Sequence, residues 1–310
     1  MEISVCMIVR NEATHLQRIL PIVLQFADQL VIVDTGSTDE TIGVARMFTD
    51  TVYTFEWSND FAAARNFSFA KATSDYIMWL DADDYISPHD VQKILALKST
   101  SNPADVYMMK YATSFDQNGN PTFTFFRERL LRTSGNYTWS GFVHEAITPR
   151  GRVEYTDILI QHRKTTPSNP KRNISLYRYH KRLGKIFCPR EQYYYAKELY
   201  YNGYYYTAIR ELKKYLRLPD KFAPNHYDAI LTLSRCYNYK KNYQSAINII
   251  TDFAKTNTLN SELCCELGLS YIQSNRTLDA IMAYQSALCT HPSTYSGAFV
   301  EQNYYYLMIN

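Results

Sequence analysis

Tyr76-Ile77-Met78-Trp79-Leu80-Asp81-Ala82-Asp83-Asp84 is an apolar run that stops at three carboxylates. The five residues before Asp81 are bounded by polar ones and read as a buried β-strand. Three carboxylates at a strand exit repel one another unless a positive charge sits among them. A hard divalent cation, Mg²⁺ or Mn²⁺, takes carboxylate and phosphate oxygens together. The strand ends of an open α/β sheet are also where ligands bind. Taken alone, the tetrad also reads as an acidic loop with a helix N-cap downstream, since Asp-rich turns are common.

The flanking sequence supplies context. Ile3-Ser4-Val5-Cys6-Met7-Ile8-Val9 is strand-like and leads into Arg10-Asn11-Glu12-Ala13. Leu16, Ile19, Leu20, Val23, Leu24 and Ala27 follow at helical spacing. A second buried run, Gln29 to Val33, ends in Asp34-Thr35-Gly36-Ser37-Thr38-Asp39-Glu40 and turns into a helix from Thr41. Two consecutive strand–turn–helix units argue for parallel α/β architecture. Strand-like runs recur at 3–9, 29–34, 51–55, 76–80 and 105–111, with helical stretches near 13–27, 39–48, 60–72 and 88–98. Asn118-Gly119 has hairpin character and precedes strand-like Thr122 to Phe126. Leu130-Leu131-Arg132 and Val153 to Gln161 read as further strands.

Five motifs carry a resemblance. They are Met7 to Glu12, Val33 to Thr41, Ala63-Ala64-Arg65-Asn66, Leu80 to Asp84, and Trp139-Ser140-Gly141-Phe142-Val143-His144-Glu145. Together, in this order, they resemble family 2 glycosyltransferases of the GT-A fold, over roughly the first half of the chain. Within that family the chain looks like the subgroup with a C-terminal tetratricopeptide array, which includes bacterial peptide glycosyltransferases acting on bacteriocin precursors. The resemblance implies an α/β GT-A nucleotide-sugar-binding domain, a mixed and mainly parallel sheet flanked by helices, followed by an all-α helical repeat domain. It implies an inverting enzyme using a nucleotide-sugar donor, UDP-sugar foremost, and a divalent metal.

Sugar transfer needs the leaving diphosphate neutralised, the acceptor hydroxyl or thiol deprotonated and the donor held in line. By resemblance, Asp83 binds the metal directly and Asp81 holds the ribose or a metal-bound water. His162 ends strand-like Ile158 to Gln161; it reads as an ordinary strand-end histidine, or by resemblance as the late histidine that completes the metal site. Glu145 is the candidate general base, the more so if Trp139 desolvates it, and otherwise a strand-edge salt bridge. His144 and Asp84 are rival bases. Asp34 is the candidate for reading uracil, because a strand-end carboxylate accepts an imide N–H. Arg10 and Glu12 flank the same pocket, and Arg65 is expected to pair with a phosphate or with Asp81.

Composition bounds the rest. The 310 residues suffice for two domains. A net charge of +3 gives no bulk drive toward nucleic acid. No run is long and apolar enough for a transmembrane helix, so the chain is expected not to be integral to a membrane. The six cysteines show no metal-like spacing and read as thiols of a reducing cytoplasm. Cys264 and Cys265 are adjacent on a helical stretch and cannot both point one way.

Residues 1–165 are read as the glycosyltransferase domain and 166–188 as a basic loop and helix. Residues 189–292 are read as tetratricopeptide-like repeats, and 293–310 as a C-terminal helix, cap or truncated further unit. Ala208, Ala246 and Ala280 occupy equivalent positions, 38 and then 34 residues apart. Leu267-Gly268, Tyr271, Ala280, Tyr284, Ala287 and Pro292 fit the repeat best, with small residues letting paired helices approach and large ones filling the groove. The 28 Tyr, clustered at 193–195, 204–206 and 304–306, are expected to form helix-packing ridges, with some lining a binding groove. Such arrays bind extended peptides, which favours a polypeptide acceptor and leaves a homodimer through the repeats as a further possibility. The competing readings are a glycan-chain glycosyltransferase and an inactive repeat scaffold.

Overall fold

The computed structural model describes residues 1–163, 169–219 and 222–290, and the backbone of 298–300. The chain divides into two compact units, Met1–Pro167 and Ser168–Asn310.

The first unit begins with β1 (Ile3–Val9), α1 (Ala13–Val23), β2 (Gln29–Asp34), α2 (Thr41–Arg46), β3 (Val52–Thr54) and α3 (Phe61–Phe69). It continues with β4 (Tyr76–Trp79), β5 (Asp84–Ile86), α4 (Pro88–Lys98), β6 (Val106–Phe115) and β7 (Pro121–Arg132). A small ribbon of β8 (Trp139–Ser140) and β9 (Ala146–Ile147) precedes β10 (Val153–His162). Among the described residues of this unit, eight strands form one sheet in the order β3-β2-β1-β4-β7-β6-β10-β5. Its first four strands are parallel, β7 runs antiparallel to both neighbours, and β10 is parallel to β6.

Both sheet faces are covered, so the parallel strands are apolar on both sides. Ile3, Val5, Met7 and Val9 of β1 point into a core with Leu16, Ile19 and Leu20 of α1. Cys6 points the other way, into a second core with Val31, Val33, Trp79 and Trp139. This period of two follows from strand geometry.

Three local readings need correction. α1 ends at Val23 rather than near Ala27, because its last turn tightens: Gln25 and Phe26 donate to carbonyls three residues back. The runs at 122–126 and 130–132 are one strand, β7, with Arg127, Glu128 and Arg129 continuing its ladder. Strands β5, β8 and β9 had no counterpart in the sequence reading.

The second unit is helical: α5 (Arg172–Arg182), α6 (Pro189–Tyr201), α7 (Tyr205–Arg217), α8 (Ala223–Tyr239), α9 (Tyr243–Ala254), α10 (Ser261–Gln273) and α11 (Thr277–Cys289). Ala208, Ala246 and Ala280 are fully buried, one in each of α7, α9 and α11. Gly268 shows why the pattern holds: a Cβ there would lie 2.7 Å from the Tyr284 ring. Tyr193 and Tyr195 are buried, and Tyr205 stacks on Tyr239 at 4.6 Å. Cys264 is buried and Cys265 half-buried on α10. Pro292 and Tyr304 to Tyr306 lie outside the described residues. So does the expected cap over 293–310, apart from the extended backbone of 298–300.

Candidate active site

The site begins with what happens after β4. The chain turns at Asp81, whose carbonyl accepts from the Asp84 N–H at 3.1 Å, and re-enters the sheet as β5. β5 pairs antiparallel with β10 in a register that sets Asp84 opposite His162. That pairing brings the metal-ligand candidates together. His162 Nδ1 lies 3.3 Å from Asp83 Oδ1 and 3.6 Å from Asp84 Oδ1. It is buried and faces these two carboxylates.

Asp84 is fully buried, which removes it as a rival base. Its Oδ2 accepts from the Asp81 N–H and from Arg129 Nη1, both at 3.0 Å, and its Oδ1 from the Tyr111 hydroxyl at 3.0 Å. Arg129 is itself fully buried. Its guanidinium lies 3.6 Å from the Trp79 ring centre and 4.3 Å from that of Tyr111. Arg129 has a signal in the sequence, a run of charges, Arg127-Glu128-Arg129, between the apolar pairs Phe125-Phe126 and Leu130-Leu131 of one strand.

Arg65, on α3, joins the second half of the site. Asp60 caps α3 by accepting from the Ala63 N–H. Arg65 Nη2 donates to Asp81 Oδ1 at 2.8 Å and its Nε to Glu145 Oε1 at 2.7 Å. Of the two partners weighed for Arg65, Asp81 is present, and Glu145 is an addition. Trp139 packs over the Arg65 guanidinium at 4.8 Å. Asn66 exchanges two hydrogen bonds with the Trp139 backbone and fixes α3 to β8. Glu145 directly precedes β9, and His144 beside it takes a left-handed φ of 53°.

The electrostatics follow from burial and pairing. Burial pushes the Asp81 carboxyl up, but Arg65 and then Arg129 more than offset it and hold it well below the usual range. Burial opposes the charge on Arg65, yet Asp81 and Glu145 strengthen its hold on its proton. Burial also opposes charge on His162, but Asp83 and Asp84 raise it to about 10. The trio therefore attracts a positive charge. Two carboxylates and an imidazole nitrogen whose ligand atoms converge suit a hard divalent cation, so Asp83, Asp84 and His162 fit Mg²⁺ or Mn²⁺.

The remaining candidates lie at the C-terminal ends of neighbouring parallel strands, β1 and β2. Asp34 Oδ2 accepts from the Gly36 and Ser37 N–H groups at 3.0 Å, in a turn whose Gly36 has φ +102°. Asp34 Oδ1 is buried with no hydrogen-bond partner among the described residues. Asn11, at φ 56°, ties the two loops together. Its N–H donates to Ser37 Oγ, and its Oδ1 accepts from the Thr38 N–H, both at 2.8 Å. Glu12 donates its N–H to Thr41 Oγ1 and lies 2.5 Å from His15 Nδ1. Arg10 is exposed.

A mainly parallel sheet with helices on both faces and carboxylates at its strand ends is a GT-A-like α/β arrangement. Residues 4–149, nearly all of the first unit, match the family described as Glycosyl transferase family 2. Glycosyltransferase SunS of Bacillus subtilis is 26% identical over 256 residues, which cover 76% of this chain and 58% of that protein. A TPR repeat-containing protein of Synechococcus elongatus is 45% identical over 83 residues, 27% of this chain and 21% of that one. The chain thus spans less than two thirds of either relative. Among solved structures, S. aureus TarS 1–349 is similar over 93% of this chain and 92% of that one, at 13% identity and a TM-score of 0.41. No helix among the described residues is long and apolar enough to cross a membrane.

Proposed function

We propose that this chain is an inverting glycosyltransferase that moves a sugar from a nucleotide donor, a UDP-sugar, to a polypeptide acceptor with a divalent cation. The observation that carries this reading is the Asp83–Asp84–His162 trio beside the Arg65 bridge from Asp81 to Glu145. In this reading Asp83 and His162 hold the cation, with Asp84 behind them, and Asp81 faces the donor. A bound cation supplies the Lewis acid that stabilises a departing diphosphate.

Asp34 Oδ1 is a buried acceptor in want of a donor, and a uracil imide N–H is one. Arg10 and Glu12 border that pocket from the end of β1. Glu145 takes the acceptor proton as the hydroxyl or thiol attacks the anomeric carbon and the bond to the diphosphate breaks. Arg65 engages Oε1, leaving Oε2 outside that pair. The same pairing is the observation that favours His144 as the alternative base. The helical unit supports a polypeptide acceptor, since stacked helix pairs present extended surfaces to extended peptides.

The test is a thermal-shift screen of nucleotide sugars with and without Mn²⁺, followed by donor hydrolysis and transfer to peptide acceptors read by mass spectrometry. Mn²⁺-dependent stabilisation by a UDP-sugar, with peptide transfer, is expected. Transfer to glycan chains but not peptides would make the chain a glycan glycosyltransferase. No donor binding at all would leave a repeat scaffold.

A further inference from the structure

Charge is distributed unevenly along this chain. Residues 171–217, which span α5, α6 and α7, hold twelve Lys and Arg against three Glu, a net +9. The remaining residues hold 21 Lys and Arg against 27 Asp and Glu, a net −6, which together restore the chain's +3. Nothing in the proposed chemistry uses this block.

Six of its twelve cations gather on one surface. Lys181 of α5 and Arg210 and Lys214 of α7 meet at Glu211, at 3.3, 3.1 and 3.3 Å. Lys185 meets Glu191 at 2.8 Å. Both carboxylates are buried, and they lie beneath the cations. Arg178 lies over the Tyr204 ring, and Arg182 one turn along α5 donates to the Arg178 carbonyl. Ser175, Arg178, Lys181 and Arg182 line an open cleft of about 660 Å³. Six cations over two carboxylates leave an excess of four positive charges.

Two aliphatic side chains project among them. The loop between α5 and α6 carries Leu183 at 67% exposure and Ile186 at 92%. Single exposed aliphatics are ordinary. Here two of them share one short loop, with Lys181, Arg182 and Lys185 on either side. Apolar side chains that can enter a bilayer, collared by cations that meet lipid phosphates, are the two signals of interfacial binding. An acidic peptide or a nucleic acid would satisfy the cations and leave Leu183 and Ile186 in water.

We propose that the α5–α6 loop and the basic surface around it dock this protein on an anionic lipid bilayer. The test is flotation with vesicles of phosphatidylcholine alone and of phosphatidylcholine with phosphatidylglycerol, at low and high ionic strength. The full chain should float with the anionic vesicles, release at high salt and ignore the neutral ones. L183S/I186S and R178Q/R182Q should each weaken binding on the order of tenfold or more, with unchanged thermal melting. If the double aliphatic variant melts early, I186S, at the most exposed position, replaces it. Absence of flotation with anionic vesicles overturns the proposal. Flotation indifferent to the aliphatic substitutions overturns it too, because general electrostatic adsorption then suffices. Tight binding of polyglutamate without vesicle binding would assign the surface to an acidic protein. None of these readouts depends on sugar transfer.

Discussion

The two units bury charge in opposite ways. In the sheet unit the buried charges crowd one place: Arg65, Arg127 and Arg129 all lie within 5.0 Å of the Trp79 ring centre, with Asp81, Asp84, Glu128 and Glu145 as their counterions. In the helical unit they are spread, and three of the pairs link one helix to the next but one, Lys181 of α5 with Glu211 of α7 among them. Lys197 of α6 pairs with Asp228 of α8 at 2.8 Å, and Arg235 of α8 with Glu266 of α10 at 3.2 Å. A buried pair is weak evidence for stability, because desolvation offsets much of the attraction. Spread pairs are half-wet and set which helix faces which. In the crowd one pair, Arg129–Asp84, is wholly dry, and it fixes a carboxylate next to the one a cation would use.

The strongest way to break this comparison is Asp83→Ala. It should abolish metal-dependent transfer and Mn²⁺ binding by calorimetry, yet leave stability within about 0.5 kcal/mol. A large loss of stability would mean that Asp83 belongs to the dry network after all. Glu145→Gln should cut turnover by roughly 10²–10⁴-fold with donor affinity little changed. A dead His144→Ala beside a near-normal Glu145→Gln moves the base by one residue.

The comparison is sharpened by removing one cation from each unit. Arg129→Met strands a fully buried Asp84 and should cost about 3–5 kcal/mol in the sheet unit's urea transition; adding Asp84→Asn should recover most of it. Arg235→Met, from a pair whose arginine side chain is 37% exposed, should cost no more than about 1 kcal/mol. Gly268→Ala forces a methyl against the Tyr284 ring and should cost about 1–3 kcal/mol in the helical transition, unless Tyr284→Ser is added to make room.

The parallel core was legible in the sequence because its strands are unbroken apolar runs ending in turn residues. β1, β2 and β4 needed nothing distant to be seen. The repeats were legible because Ala208, Ala246 and Ala280 recur at a period that stacking requires. β5 was not legible: Asp84-Tyr85-Ile86 is three residues long, and its partner, β10, lies some 75 residues further on. Nor was the continuity of β7. Charges in mid-strand read as a break, and only the pairing of Arg129 with Asp84, across 45 residues, makes them a core. Resemblance alone pairs Asp83 with His162 in the sequence; the physical reason they meet is β5, which sets Asp84 opposite His162.

Trp79 carries one more consequence. The chain has three tryptophans, and two of them, Trp79 and Trp139, flank the Arg65 guanidinium. The colour of indole emission follows the electric field along the ring. A cation held at Asp83, or a diphosphate drawn toward Arg65, would change the field that these rings sense. On the proposed reading the protein would be its own optical probe, with occupancy of the site read in unlabelled solution from a shift of its fluorescence.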